Sequence, residues 1–119
     1  MCQPNAVAAK PLNYFDESPN FSSVVEITVK ALPTALSEGK ILLDVREDWE
    51  RELSSIPNSL HMPLSQFDAA NLDPSAAYII YCKSGKRSAQ ACLKAAALKL
   101  DAVSLSGGIN AYLAEPVPS

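Results

Sequence analysis

The stretch that most constrains the fold is Tyr78-Ile79-Ile80-Tyr81-Cys82-Lys83-Ser84-Gly85-Lys86-Arg87-Ser88, a short apolar run closed by a cysteine and followed by a basic, glycine-containing loop. The run is β-branched and aromatic and therefore strand-like. From Ser88 to Leu98 the residues are mostly Ala, Leu, Lys and Gln, and Ala89, Cys92, Leu93, Ala96 and Leu100 recur at the spacing of an apolar helix face. Strand, tight loop and helix together make an anion site. Backbone N–H groups around the loop can point inward, and the first helical turn adds its own unpaired N–H groups and positive dipole end.

A cysteine at the start of such a loop is itself a candidate anion, because a helix N-terminus and nearby cations favour thiolate over thiol. Lys83, Lys86 and Arg87 are those cations. Cys82 is accordingly read as a nucleophile activated by backbone and charge, without a histidine base. The plainer role for a lone cysteine at a strand end is packing, and the chemistry of the loop sets this one apart.

The loop Cys-Lys-Ser-Gly-Lys-Arg-Ser resembles the active-site loop of the rhodanese family of sulfurtransferases. Two further stretches match that family in the right order, Leu42-Leu43-Asp44-Val45-Arg46-Glu47 upstream and Leu105-Ser106-Gly107-Gly108-Ile109-Asn110-Ala111-Tyr112 downstream. The resemblance covers about residues 25 to 114, and three ordered motifs are far more specific than any one. It implies sulfane-sulfur transfer through a persulfide on Cys82. It further implies loop residues Lys83, Ser84, Gly85, Lys86, Arg87 and Ser88 that hold the anionic group, with Asp44 and Arg46 in support. No metal or organic cofactor is called for. The family occurs as free domains and as the C-terminal part of adenylyltransferases that charge sulfur-carrier proteins.

The sequence departs from the family pattern at Lys99-Leu100, where Gly-Phe is usual, at Tyr112, where Trp is common, and at Ser54-Ser55, where Gly-His is usual.

At 119 residues with 48% apolar residues, the chain suits one domain with its own core. A formal net charge of −3 leaves no general basic field for nucleic acid or anionic membrane, so the cations at 83 to 87 are a local feature suited to a small anion. No apolar run reaches membrane-spanning length and no signal sequence is recognisable, which makes cytoplasmic the expected location. Cys2, Cys82 and Cys92 form neither a CxxC nor a Cys/His ligand pattern, and all three are expected to be reduced.

Residues 1–22, with Pro4, Pro11 and Pro19, read as an N-terminal tail or linker, and 23–119 as the rhodanese-like domain. Tyr14 and Phe15 could still pack on the domain, and Cys2 is not expected to serve as a second catalytic thiol. Strands are expected at 26–29, 41–45, 59–62, 78–81 and 102–105. Helical segments are expected at 30–37, 47–53, 64–67, 88–98 and 109–115, with Gly39 stopping the first and Pro116 and Pro118 ending the fold. Asp44 and Arg46 fall at a strand's C-terminal end, where ligands bind in open α/β sheets, although an ion pair that fixes neighbouring loops suits them equally. Trp49 is expected in core or rim packing, and His61 as a hydrogen-bonded strand end rather than a base.

The expected architecture is thus α/β, a rhodanese-like three-layer fold with a mainly parallel sheet of about five strands and helices on both faces. The expected activity moves sulfane sulfur from thiosulfate or a protein persulfide to a nucleophilic acceptor such as a thiol, thioredoxin or a sulfur-carrier protein. One alternative is a non-catalytic binding or regulatory module, though many of those have lost the cysteine kept here. Another is a related phosphatase or arsenate reductase, but those place five residues between cysteine and arginine, whereas Cys82 and Arg87 are separated by four.

Overall fold

The computed structural model describes residues 24–115. The expectations for Cys2, for Tyr14 and Phe15, and for Pro116 and Pro118 lie outside the described residues. Five strands, β1 (Glu26–Ile27), β2 (Ile41–Asp44), β3 (Leu60–His61), β4 (Ala77–Tyr81) and β5 (Asp101–Leu105), form one sheet in the order β1-β5-β4-β2-β3. All four pairings are parallel. Helices α1 (Leu32–Ser37), α2 (Asp48–Leu53), α3 (Lys86–Ala97) and α4 (Gly108–Ala114) connect or follow them.

The central strand explains the layering. In β4, Ile79, Ile80 and Tyr81 are each 0% exposed, because a parallel strand covered on both faces has no polar side. Alternate residues face opposite ways. Ile79 and Tyr81 pack with Leu42, Leu105, Leu32 of α1 and Ile109 of α4, whereas Tyr78, Ile80 and Cys82 pack with Leu43, Val45 and Ala91 and Cys92 of α3. Burying one such isoleucine is worth about 1.5–3 kcal/mol. Asp44 sits opposite both Tyr81 and His61, so β2, β3 and β4 finish at one level and Cys82 emerges there.

Several boundaries differ from expectation for local reasons. The first strand stops at Ile27 because the Thr28 side chain accepts from Ala31 N–H at 3.3 Å and starts a 3-10 turn, Val29–Ala31, that leads into α1. Pro33 lies in the first turn of α1, where a missing N–H costs nothing. The region 64–67 forms a 3-10 turn at Leu64–Gln66, and a second such turn follows at Ala69–Asn71.

On α3 the buried stripe is Ser88, Ala91, Cys92 and Ala95, with Ala89 beside it, while Ala96 is exposed and Leu93 only half-buried. Small residues let this helix lie close on the sheet, so the larger Leu93 is turned aside. Trp49 is 64% exposed on α2 and is not part of the core.

The ends of α1 and α3 close in the same way with different residues. At α1, Lys40 N–H reaches the Ala35 carbonyl and Gly39, at φ +91°, takes the left-handed position. At α3, Leu100 N–H reaches the Ala95 carbonyl and Lys99 N–H the Ala96 carbonyl, the paired bonds of a Schellman motif. There the left-handed residue is Lys99, at φ +62°, in place of a glycine.

Candidate active site

Cys82 follows the last residue of β4, and α3 begins at Lys86, two residues earlier than the composition suggested. Gly85 makes this possible: it takes φ +114° as the N-cap, and its carbonyl accepts the Ala89 N–H of the first turn at 3.1 Å. The turn is tight enough for Gly85 N–H to donate to Cys82 Sγ at 3.0 Å. Cys82 is 1% exposed, at the floor of the cradle, while Lys83, Ser84 and Lys86 are exposed on its rim.

Burial alone would push the Cys82 thiol up. The Ser88 N–H, the Ser88 hydroxyl and the N–H groups of Gly85 and Ser84 outweigh it and hold the thiol below its ordinary value. Cys92, buried without such donors and facing the Cys82 charge, is pushed up to about 12. Two buried cysteines on one side of the sheet therefore differ in kind: one is held below the ordinary thiol value and the other is raised well above it.

The carbonyls of the loop are held from behind. Ile109 N–H donates to the Cys82 carbonyl at 2.9 Å and Asn110 N–H to the Lys83 carbonyl at 3.1 Å, so the start of α4 turns these oxygens away from the cradle. Such close approach needs Gly108. A Cβ there would meet the Cys82 and Lys83 carbonyl oxygens at 2.4 and 2.6 Å, and Gly108 also sits at φ +59°.

Asp44 and Arg46 are both buried and bonded to each other. Arg46 Nε donates to Asp44 Oδ1 at 3.0 Å and Nη2 to Oδ2 at 2.9 Å, and Nη2 also reaches the Ser54 carbonyl at 2.6 Å. Burial disfavours the charged Asp44 carboxylate, but the Arg46 hydrogen bonds prevail and hold its pKa below the ordinary value. Arg51 adds a third link, from Nη1 to Asp44 Oδ2 at 3.1 Å and to Ser59 Oγ at 2.9 Å. Of the two roles open to Asp44 and Arg46 in the sequence, the geometry is that of a buried pair tying β2 to the segment after α2. His61 donates from Nε2 to the Arg46 carbonyl at 2.7 Å, since a carbonyl can only accept, and so closes its strand end.

Arg87 is held by Glu50, which the sequence reading did not single out. The available signal was Glu47-Asp48-Trp49-Glu50, since α2 opens with a capping box in which the Glu50 side chain accepts Glu47 N–H at 3.0 Å. Hydrogen bonds from Arg87 outweigh burial and bring Glu50 down to about 2. Ser104 of β5 is a second residue not anticipated; its hydroxyl lies 2.7 Å from Ser88 Oγ.

A basic-rimmed cradle of N–H groups surrounds a cysteine at the C-terminal edge of a parallel sheet. The family model of the rhodanese-like domain matches residues 28–115, and the chain belongs to that family, which is of sulfurtransferase type. It is 30% identical over 99 residues to YtwF of Bacillus subtilis, which carries the provisional name of a sulfurtransferase; the match covers 76% of this chain and 96% of YtwF. It is 37% identical over 78 residues to YrkF of the same organism, provisionally named a sulfur carrier protein, covering 62% of this chain but only 42% of that protein. Among solved structures, a rhodanese-related protein from Thermoplasma volcanium superposes with a TM-score of 0.72 at 31% identity, covering 79% of this chain and 95% of the other. Among the described residues, no helix is long and apolar enough to cross a membrane.

Proposed function

We propose that this domain transfers sulfane sulfur through a persulfide on Cys82. The Cys82 thiolate attacks the outer sulfur of thiosulfate; a new S–S bond forms, and the old one breaks with its electron pair leaving on sulfite. The persulfide keeps one negative charge on its outer sulfur. An acceptor nucleophile then bonds to that sulfur, and Cys82 leaves as thiolate, ready for another cycle. The N–H groups of Ser84, Gly85 and Ser88 stabilise this sulfur-borne charge, and Lys83, Lys86 and Arg87 favour approach of an anionic donor.

The observation that carries this reading is the position of Cys82 Sγ, 3.0 Å from Gly85 N–H and 1% exposed at the floor of a short loop. A single terminal sulfur fits such a floor better than a tetrahedral phosphoryl group, which favours sulfur transfer over phosphate hydrolysis. Thiosulfate is the small-molecule donor to try first, with a protein persulfide as the macromolecular one. A thiol, thioredoxin or a sulfur-carrier protein is the acceptor class, and the cytoplasm is the compartment that keeps the thiols reduced. The reading is tested by thiosulfate:cyanide sulfur transfer in wild type and Cys82→Ser. Activity in the wild type that vanishes in the variant supports it; undiminished turnover without Cys82 refutes it.

A further inference from the structure

Behind Cys82 lies a short chain of buried hydroxyls. Ser88 and Ser104 are each 0% exposed, Ser88 on α3 and Ser104 on β5, with their oxygens 2.7 Å apart. Ser88 Oγ also donates to the Gly85 carbonyl at 3.1 Å and lies 3.6 Å from Cys82 Sγ, whose thiol donates to it. Among the hydrogen bonds of the described residues, Ser104 Oγ has Ser88 Oγ as its one partner.

Counting hydrogens fixes the direction of the chain. Each hydroxyl has one hydrogen and two lone pairs. If Ser88 donated to Ser104, the Ser104 hydrogen would be stranded in a fully buried site, and the Gly85 carbonyl would keep only its bond from Ala89 N–H. If Ser104 donates to Ser88, everything is satisfied: Ser88 accepts from Ser104 and from the Cys82 thiol and gives its own hydrogen to Gly85. On ionisation the Cys82 hydrogen departs, and the Ser88 hydrogen can swing from the Gly85 carbonyl to the sulfur.

We propose that Ser104 is a positioning residue for the sulfur chemistry: by donating to Ser88 it fixes Ser88 as a hydrogen donor toward Cys82 Sγ. The inference rests on the sulfur-transfer reading. It assigns Ser104 a role different from that of the backbone donors, because Cys82 Sγ is the attacking atom in the first half-reaction and the leaving atom in the second. A hydrogen bond to Sγ increases the share of thiolate and improves the leaving group, but slightly blunts the thiolate as a nucleophile. Ser88, polarised by Ser104, therefore favours discharge of the persulfide more than its loading.

The test compares Ser104→Thr with Ser104→Val in a Cys2→Ser background, two side chains of nearly equal shape that differ in the hydroxyl. Cys82 ionisation is followed by ultraviolet thiolate absorbance, and loading by thiosulfate and discharge to cyanide are measured in single turnovers at a pH where Cys82 is fully ionised. The acid dissociation constant of Cys82 should be about threefold smaller in the Val variant than in the Thr variant, and its discharge about threefold slower, with loading not slowed. Equal titration and equal discharge in the two folded variants would overturn the proposal and leave Ser104 as packing. If the added bulk prevents folding, Ser104→Ala against wild type makes the same comparison. If wild type takes no sulfur from thiosulfate, the sulfur-transfer reading fails, and the titration difference between Thr and Val still decides the part played by Ser104.

Discussion

Arg87, the second residue of α3, is forked onto Glu50 of α2, with Nη1 to Oε1 at 2.6 Å and Nη2 to Oε2 at 2.8 Å. The fork binds α2 to the wall of the cradle and fixes the direction of one of its three cations. It also divides their work. The Arg87 charge is felt by Cys82 but is shared with a carboxylate, while Lys83 and Lys86 stay exposed on the rim.

Glu50→Gln should be less stable than wild type by about 2–3 kcal/mol near neutral pH, since a folded value of about 2 lies well below the ordinary 4.5. A carboxylate with a depressed pKa contributes its stability above its unfolded value. The difference should therefore be full above about pH 4.5 and fade as pH falls toward 2. Urea unfolding of both proteins across that range checks it; a gap that widens with acid would contradict the ion-pair account.

Lys83→Ala/Lys86→Ala should raise KM for thiosulfate several-fold with little change in melting temperature, because both side chains are exposed and charge is their main contribution. Added salt should reproduce part of the loss in wild type and have less effect in the double variant. Unchanged KM would reduce the two lysines to solvated surface charges.

Gly108→Ala places a methyl group against the Cys82 and Lys83 carbonyls. Backbone oxygens cannot swing aside as a side chain can, so the loop must shift. A destabilisation of about 1–3 kcal/mol is expected, together with slower alkylation of Cys82 at neutral pH as its N–H donors lose alignment. Normal alkylation in a folded variant would show that the start of α4 does not set the loop.

Lys99→Gly should stabilise the domain. A left-handed non-glycine residue costs about 1–2 kcal/mol, and glycine gives back about 0.4–1 kcal/mol through a freer unfolded chain, which leaves a gain of about 0.5–1 kcal/mol. A melting temperature higher by a few degrees is the expected sign; a lower one would mean that the Lys99 side chain contributes more than its backbone costs.

The fold was largely legible because its evidence is local. Apolar β-branched runs at Ile41–Val45 and Tyr78–Tyr81 mark buried parallel strands, and Cys82 to Ser88 marks the cradle between strand and helix. Boundaries moved where one residue redirected the chain, as Thr28 does by capping a turn and Gly85 by starting α3 early. The expected buried face of α3 held at Ala89, Cys92 and Leu100 and failed at Leu93 and Ala96, because bulk was followed at Leu93 whereas the sheet accepts the small stripe of Ser88, Ala91, Cys92 and Ala95. What stayed hidden depends on partners distant in sequence: Glu50 beneath Arg87, Ser104 beside Ser88, and the Cys82 carbonyl as the group that the Gly107-Gly108 turn, legible as a place of close approach, lies against. Lys99 shows the reverse case, a departure from the family pattern visible in the sequence whose consequence, a strained helix end, needed the backbone angle.

Mass measurement on the intact protein tests the account most directly. After thiosulfate treatment and desalting, wild type should gain about 32 Da, one sulfur atom, located on the peptide that contains Cys82, and should lose it again to cyanide. Cys92→Ser should behave as wild type, since the Cys92 thiol, pushed up to about 12, stays protonated. An unmodified Cys82 peptide, or the same gain in Cys82→Ser, would contradict transfer through a Cys82 persulfide.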